Sequence, residues 1–330
     1  MTLDPTASFP VDALEDPSVE ARGSRSSDSI VDPTIRAEIA VIGGSGLYEL
    51  IEPAGAVTHQ IQTPYGTTPV TIGLRAGRRI AFLPRHGSAH SVAPHLINYR
   101  ANIWALASIG VRAIISSSAV GGVRPEYAPG LLVVTDQFID RTQGRPDTFY
   151  DRESVQHFSA ADPFDPLLRQ YAISALHDLG ENFAPTGTVV VIQGPRFSTR
   201  AESVWFASSG AHIVNMTAYP EIVLAGELNM GTVNLSFVTD ADAGLAPMPQ
   251  GATTREQIDI VKNKTTGETD AVTASVVFRR LRDAQPRIKD AIDGILRALP
   301  ADFSPRELID PAQVDAVLAR AVLTDGELAS

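Results

Sequence analysis

The stretch that decides the fold lies near the middle of the chain and reads Val189-Val190-Val191-Ile192-Gln193-Gly194-Pro195-Arg196-Phe197-Ser198. An apolar run of strand type passes here directly into glycine, proline and polar residues. The segment 212–221 repeats this arrangement, because the apolar Ile213-Val214 is followed by Asn215-Met216-Thr217. Open α/β sheets bind their ligands just outside the strand ends, so we expect both segments to line one binding site.

Strand-like apolar runs alternate with helix-like stretches from residue 37 onwards. The predicted strands are 39–42, 79–83, 113–115, 131–134, 187–192, 213–214 and 233–238, and the predicted helices are 97–109, 167–179, 200–207, 220–228, 272–299 and 312–322. This alternation predicts an α/β fold with a twisted, mostly parallel central sheet flanked by helices. Pro286 is expected to kink or split the helix 272–299 because it lacks a backbone N–H. No linker interrupts 37–300, so residues 37–330 are assigned to one domain.

Two segments do not follow this alternation. Residues 1–36 contain four prolines and a serine-rich patch, and they group too little apolar surface to fold, which predicts a flexible N-terminal tail. Residues 244–270 contain two polar, glycine-bearing breaks. A long loop near a binding site is often a lid, and a surface insertion is the alternative.

The composition excludes several classes of protein. The net charge of −11 argues against a general partner of nucleic acids or membrane surfaces, so any anion site must be built locally from a few donors. The chain has no cysteine, which excludes disulfides and thiolate chemistry. No apolar run approaches the roughly 20 residues of a spanning helix, and the N-terminus lacks the pattern of a signal peptide. We therefore predict a cytoplasmic protein.

Three segments at predicted strand ends are suited to binding an anion. In Pro84-Arg85-His86-Gly87 the arginine offers a planar fork for two phosphate oxygens, and the histidine can donate one more bond. The turn Gly43-Gly44-Ser45-Gly46 allows close backbone approach and adds a hydroxyl, although a purely structural turn has the same sequence. The segment 116–122 adds further hydroxyls and a flexible backbone. The alternative for Arg85 and His86 is a surface arginine and an internally bonded histidine.

Acidic and histidine residues elsewhere allow other interpretations. Asp240 and Asp242 follow the strand 233–238, and two carboxylates at this spacing can both face a cleft, accept from a purine amino group and, if buried, act as a general acid. A helix cap or a surface turn is the alternative. The acids and arginine of segment 136–142 are interpreted as an internal Asp–Arg network. A zinc site at His90 and His95 is rejected because no carboxylate or cysteine cluster completes four ligands.

The order of these motifs resembles the trimeric nucleoside phosphorylases, and within that family the branch that acts on methylthioadenosine. The resemblance covers residues 39 to about 242 and continues more weakly to about 299. It also includes the segments 63–66 and 98–106. The resemblance implies one α/β domain, a homotrimer or a hexamer made of two trimers, no cofactor, and inorganic phosphate as co-substrate. The implied reaction is the phosphorolysis of 5′-methylthioadenosine to adenine and 5-methylthioribose 1-phosphate, a step of purine salvage.

The resemblance also implies roles for individual residues. Phosphate would be bound by Ser45, Arg85, His86, Ser118 and Thr217. The nucleoside would be bound by Ala119, Phe197, Ser198, Asn215, Met216, Asp240 and Asp242, with His157 reaching the site of a neighbouring subunit. Val272 and Val276 would contact the 5′-methylthio group. Asp240 and His86 would be the catalytic residues, and no metal would be bound.

The same residues distinguish the alternatives. Relatives that take 6-oxopurines typically have Glu at position 198 and Asn at position 240, whereas this chain has Ser198 and Asp240. A carboxylate accepts from a 6-amino group but repels a 6-carbonyl oxygen. A purine nucleoside phosphorylase of broader or 6-oxopurine specificity is the second hypothesis. A nucleoside-binding protein without catalysis is the third, and the presence of Arg85, His86 and Asp240 argues against it.

Overall fold

The computed structural model of the chain describes residues 35–44, 47, 50–51, 55–87, 90–243 and 274–322. The predicted tail lies outside the described residues up to position 34, and so does the predicted lid or insertion at 244–270. Within the described ranges no helix is long and apolar enough to cross a membrane.

Strands and helices alternate along the described chain. The strands are β1 (Ile39–Gly43), β2 (Val57–Thr63), β3 (Gly66–Arg75), β4 (Arg78–Pro84), β5 (Ala113–Gly122), β6 (Leu132–Val134), β7 (Gln137–Arg141), β8 (Phe183–Ala184), β9 (Thr188–Ile192), β10 (Ile213–Asn215) and β11 (Gly231–Asp240). The helices are α1 (Tyr99–Ser108), α2 (Pro166–Asp178), α3 (Arg200–Ser208), α4 (Ala218–Glu227), α5 (Ala274–Ala298) and α6 (Pro311–Leu318), with a short 3-10 turn at Pro94–Leu96.

The described strands form one eleven-stranded sheet. Its centre is the parallel set β4, β1, β5 and β11, and β7, β9 and β10 form a second parallel set that meets β5 through an antiparallel contact. β2 and β3 add an antiparallel edge beside β4. The prediction of an α/β fold with a mostly parallel sheet is therefore confirmed.

Both faces of the sheet are covered by helices, because the central strands are apolar on both sides. Along β1, Ile39 and Val41 join the hydrophobic cluster that includes α2 and α5, whereas Ala40 and Ile42 join the cluster that includes α1, α4 and α6. The helices begin at residues that suit a helix N-terminus: Asp165 accepts from the Leu168 amide (2.9 Å), and Thr199 and Glu202 form a capping box at α3.

The structure differs from the sequence-based prediction in four details, although for Pro286 only the expected split is excluded and a kink is not tested. Pro286 does not split the long helix, since α5 continues through it. One face of α5 is buried along its length, from Leu281 to Leu296, and this packing outweighs the roughly 3 kcal/mol cost of an internal proline. The hairpin of β2 and β3 was missed because its residues alternate between exposed and buried without a continuous apolar run.

The third difference concerns β5, which extends through 116–122 instead of ending at Ile115. This polar segment pairs with β11 along its length, from Ser116 opposite Asn234 to Val120 opposite Val238. The interpretation of segment 136–142 as an Asp–Arg network was also incorrect. Arg141 lies over the Trp205 ring (4.8 Å to its centroid), while Asp136 and Asp140 accept from the backbone amides of Gly187 and Thr142.

Candidate active site

A cavity of about 460 Å³ lies where the chain leaves several strands of the sheet. Its walls come from Gly44 after β1, from Arg85 and His86 after β4, and from the second half of β5. The segments that follow β9, β10 and β11 close the other side, with lining residues Pro195, Phe197, Asn215, Met216, Thr217, Asp240 and Asp242. The segments 189–198 and 212–221 therefore line one cavity, as expected from the sequence.

Arg85 lies in one corner of the cavity, and its guanidinium is almost completely buried. Its fork is already occupied, because Nε and Nη2 donate to the two carboxylate oxygens of Glu221 at 2.6 and 2.7 Å. Nη1 donates to the carbonyl of Ser117 at 2.9 Å. Of the five N–H donors of an arginine, two remain for a ligand. The side of the fork formed by Nε and Nη2 is therefore occupied by Glu221, and a phosphate would have to use the remaining N–H groups of Nη1 and Nη2.

His86 lies beside Arg85 on the cavity wall. Its Nδ1 lies 2.9 Å from the carbonyl of Val92, so Nδ1 carries the proton and donates. Burial lowers the pKa of His86 to about 4; the hydrogen bond to Val92 opposes this shift, and the charges of Arg85 and His90 add to it. The ring is therefore neutral at pH 7 and presents Nε2 as an acceptor, not as the donor predicted from sequence. A phosphate that carries a proton can donate to this nitrogen.

Hydroxyl groups complete this corner. Ser118 and Thr217 are both buried and line the cavity. Ser118 Oγ accepts from the Asn234 amide at 3.1 Å. The backbone amides of Thr217 and Ala218 lie 3.3 and 3.4 Å from Asn215 Oδ1. Ser45, the remaining residue predicted to bind phosphate, lies outside the described residues. We call the set of Arg85, His86, Ser118 and Thr217 the phosphate corner.

Asp240 and Asp242 also line the cavity and form what we call the purine corner. Asp240 ends β11, and the Asp242 amide donates to Asp240 Oδ1 at 2.9 Å. Asp242 has a φ of 49°, in the left-handed region that aspartate adopts more readily than most residues. Both carboxylates lie against Gly121, where a Cβ would come within 3.0 Å of Asp240 Oδ1 and 2.9 Å of Asp242 Cβ. Only glycine fits between β5 and these two acids.

The surroundings of the two carboxylates favour their protonated forms. Burial raises the pKa of Asp240 to about 6, and the charge of Asp242 adds to this, although hydrogen bonds from Thr239 and the Asp242 amide oppose it. Burial also raises the pKa of Asp242, against the hydrogen bond from Ser203. An acid with a pKa of about 6 beside a second acid of raised pKa can exchange a proton near neutral pH, which is what a general acid requires.

The space between the two corners is lined by residues predicted to bind a nucleoside. Ala119, Phe197, Asn215 and Met216 all border the cavity. The Asn215 Nδ2 group is buried and has no hydrogen-bond partner within the described structure, so it is a donor available to a ligand. Ser198 is not among the described residues that line the cavity. Its hydroxyl is buried close enough to Asp242 to lower the pKa of that acid.

The end of the cavity nearest α5 is apolar. Val277 and Phe278 line it, and the Phe278 ring meets the edge of His90 with centroids 5.3 Å apart. Sequence reasoning assigned this wall to Val272 and Val276. Val272 lies outside the described residues, and for Val276 only the helical backbone is described. His157 is exposed and is absent from the described lining of the cavity.

Sequence reasoning missed several residues of the site. Glu221 ends the segment 212–221 but received no role, and only its ion pair with Arg85 in the fold reveals its part in the site. His90 was considered solely as a metal ligand, whereas it lines the cavity and stacks on His86 with centroids 4.5 Å apart. Across the ranges that the structure describes, no cluster of histidines and acids could hold a metal ion.

The fold and the cavity define an α/β enzyme that acts on a small molecule. The family model described as Phosphorylase superfamily matches residues 38–274, and the chain belongs to this family. It is 48% identical over 222 residues to the purine nucleoside phosphorylase of Streptomyces coelicolor, with 64% of this chain and 78% of the relative covered. It is 50% identical over 213 residues to the S-methyl-5′-thioadenosine phosphorylase of Hyperthermus butylicus, with the same coverage.

A solved structure of a related enzyme is also similar to this chain. The methylthioadenosine phosphorylase of Schistosoma mansoni, determined in complex with adenine, is similar with a TM-score of 0.70 and 28% identity. The match covers 86% of this chain and 97% of that chain. The likeness therefore extends over nearly the whole of that enzyme, beyond the region shared with the family model.

Proposed function

We propose that the chain catalyses the phosphorolysis of 5′-methylthioadenosine to adenine and 5-methylthioribose 1-phosphate. The observation that carries this proposal is that the buried Asp240 lines the same cavity as the phosphate corner, with a pKa raised to about 6 that suits it to protonate a leaving purine. The curated relatives that carry this activity in their names support it. Phosphate is the co-substrate, and no cofactor takes part in the reaction.

In the proposed mechanism, the bond from C1′ to N9 breaks and its electron pair moves into the purine. Asp240 donates its proton to N7 and so offsets the charge that builds on the base. A phosphate oxygen then forms the new bond to C1′ from the opposite face. Donors from Ser118, Thr217 and the two remaining Arg85 N–H groups hold the phosphate in line, while Phe197 covers the base and Met216 contacts the ribose.

The pair of carboxylates favours a 6-aminopurine over a 6-oxopurine. An ionised Asp242 accepts a hydrogen bond from an exocyclic amine, and it would face the lone pairs of a carbonyl in inosine. Methylthioadenosine is therefore favoured over 6-oxopurine nucleosides as the substrate, even though one similar relative is named a purine nucleoside phosphorylase. The apolar wall of Val277 and Phe278 suits an uncharged, thioether-bearing 5′ group better than a phosphorylated one.

We infer further that the enzyme is a homotrimer, or two trimers paired into a hexamer, in which His157 completes the site of a neighbour. His157 is exposed and lies outside the described lining of its own cavity, so it is available to a second chain. Mass measurement in solution should give a trimer or a multiple of it, and a fully active monomer would contradict the inference. The cytoplasmic location remains a prediction from the sequence.

The experiment that tests the proposed function measures adenine release from methylthioadenosine with and without phosphate, and hypoxanthine release from inosine under the same conditions. Release from methylthioadenosine that requires phosphate supports the proposal. Faster turnover of inosine would favour the purine nucleoside phosphorylase alternative. Nucleoside binding without any base release would instead support a binding protein.

A further inference from the structure

A buried polar cluster lies in the sheet directly behind the phosphate corner. It consists of Ser116, Ser118, Thr135, Asn234 and Ser236, each at most 5% exposed. The strands that supply it are β5 and β11, with Thr135 directly after β6. Polar groups at such depth must satisfy one another, because an unpaired buried donor or acceptor costs about 1–3 kcal/mol. Within this cluster, Ser118 is the member that lines the cavity.

Asn234 is the centre of the cluster and makes four hydrogen bonds. Its Nδ2 group donates to Ser116 Oγ at 2.8 Å and to Ser118 Oγ at 3.1 Å. Its Oδ1 atom accepts from Ser236 Oγ at 2.7 Å and from Thr135 Oγ1 at 3.3 Å. All the hydrogen-bonding capacity of one amide side chain is thus used inside the sheet.

Counting protons fixes the orientation of this amide. Thr135 and Ser236 lie 3.0 Å apart, so one hydroxyl can donate to the other while Asn234 Oδ1 takes the second proton. If the amide were turned over, Nδ2 would donate to both hydroxyls, and one of their two protons would have no acceptor within the cluster. The observed orientation bonds both of these protons, and Ser116 donates its own to the carbonyl of Val233 at 3.3 Å. Either orientation leaves one proton over, but in the turned-over form it would sit on Thr135 or Ser236, which are fully buried, whereas in the observed form it belongs to Ser118, which borders the cavity.

One proton of the cluster remains, that of Ser118. Because Asn234 donates to Ser118 Oγ, the serine oxygen is the acceptor in that bond, and its O–H must be used elsewhere. Among the hydrogen bonds of the described residues, none takes this proton. A bound phosphate, whose oxygens are mostly acceptors, is the partner that matches a hydroxyl held in this way.

We propose that Asn234 is a positioning residue for phosphate, which acts through Ser118 by holding its oxygen as an acceptor and so directing its proton into the cavity. Asn234 does not itself line the cavity within the described structure. The inference rests on the proposed function, since it assumes that phosphate occupies the corner that Ser118 lines.

The decisive variant is Asn234→Asp, which keeps the shape but replaces the donating NH₂ by an accepting oxygen. The carboxylate would then draw the Ser118 proton towards itself and turn the serine lone pairs towards phosphate. We expect the phosphate KM to rise by at least ~10-fold while the KM for methylthioadenosine stays within about twofold. Asn234→Leu, which is neutral and similar in volume, separates the loss of the donor from the added charge and should also raise the phosphate KM.

Ser116→Ala is the matched control, because it removes the other acceptor of the same Nδ2 group without altering a cavity residue. Its phosphate KM should stay near that of the wild type. The variants are then combined with Ser118→Ala. If Asn234 acts through Ser118, Asn234→Leu adds no further rise in phosphate KM once the serine hydroxyl is absent.

Three results would overturn the inference. One is independent, additive effects of Asn234→Leu and Ser118→Ala on phosphate KM, which would indicate a general structural role. The second is an unchanged phosphate KM in Ser118→Ala, a result that does not depend on whether the Asn234 variants fold. A wild-type enzyme that needs no phosphate would refute the proposed function itself, whereas the third result, neutral Asn234 variants in a phosphate-dependent enzyme, would refute this inference alone.

Discussion

The two corners of the cavity differ in how their charge is balanced. In the phosphate corner, the Arg85 cation is paired with Glu221 through two bonds of 2.6 and 2.7 Å, and His86 is neutral because its pKa is lowered to about 4. In the purine corner, Asp240 and Asp242 lie side by side, and the pKa of each is raised. In the first corner the charges are paired before a ligand arrives, whereas the second holds two like groups that bind a proton more readily than exposed acids do.

This difference assigns a different task to each corner. A satisfied ion pair holds its donors in one geometry, and it should govern phosphate affinity and the stability of the protein. A strained pair of acids keeps a proton available near neutral pH, and it should govern the rate of bond cleavage and its dependence on pH. Variants in each corner test whether the two corners have these different tasks.

The largest effect is expected in the purine corner, with Asp240→Asn. The amide keeps the shape but has no acidic proton, so kcat for adenine release should fall by roughly 10²-fold, the usual scale for a general acid. The relative preference should shift towards inosine, because the new N–H can meet a 6-carbonyl. Steady-state kinetics on both nucleosides measure this.

Asp242→Asn is the matched control for that variant. It removes the second carboxylate but leaves Asp240 able to donate, so its kcat should fall less. Unchanged rates and preference in a folded Asp240→Asn enzyme would make Asp240 a turn-forming residue without a part in the chemistry.

A smaller effect on turnover is expected in the phosphate corner, with Arg85→Ala. The phosphate KM should rise by at least ~10-fold, a loss of about 1.4 kcal/mol or more. The variant should also unfold more easily, by about 3 kcal/mol or more, because it leaves the Glu221 carboxylate buried without its partner. Phosphate-dependent kinetics and denaturant unfolding measure the two effects separately.

The double variant Arg85→Met with Glu221→Leu tests the assigned tasks further. Replacing both charges by apolar groups should restore most of the lost stability, because neither charge is then left unpaired. The phosphate KM should stay high, since the remaining Arg85 donors are gone. If phosphate dependence is near normal in either variant, Arg85 is not part of the phosphate site.

The sequence was sufficient to predict the fold and most of the residues around the cavity, because each lies directly after an apolar run. Ser118, Thr217 and Asp240 are of this kind. The pairing of Arg85 with Glu221 was not predictable, since the partners are 136 positions apart and Glu221 is simply an acid near the start of a helix. The protonation of His86 was not predictable for a similar reason: it depends on burial and on the carbonyl of Val92, neither of which a motif records.

The polar segment 116–118 shows a further limit of sequence reasoning. Serines and glycines after an apolar run indicate a loop, yet here they continue a central strand. Ser116 and Ser118 are tolerated inside the sheet because Asn234, on the neighbouring strand, donates to both. The hydrogen bonds that make these serines acceptable in a strand come from a residue 116–118 positions away. The local sequence therefore does not indicate that the strand continues.

The smallest effect is expected on stability and follows from the raised pKa of Asp240. The folded-state pKa is about 6, above the unfolded value near 3.8, so between these values the folded protein binds more protons than the unfolded chain. The contribution of this group to stability is therefore fully present below about pH 4 and is lost as the pH rises through 6. Asp240→Asn cannot bind this proton, so its stability should fall less than that of the wild type between pH 4 and pH 7.

Thermal unfolding of the two proteins across this pH range measures the difference in slope, which should amount to a few degrees, at roughly 2–4 °C per kcal/mol for a chain of this size. Glu202→Gln is a suitable control, because Glu202 is a surface acid paired with Arg196 and its pKa is lowered to about 2, outside the window. Parallel slopes for wild type and Asp240→Asn would mean that the pKa of Asp240 is not raised by folding. The purine corner would then hold no proton near neutral pH, and the two corners would not differ in the way described above.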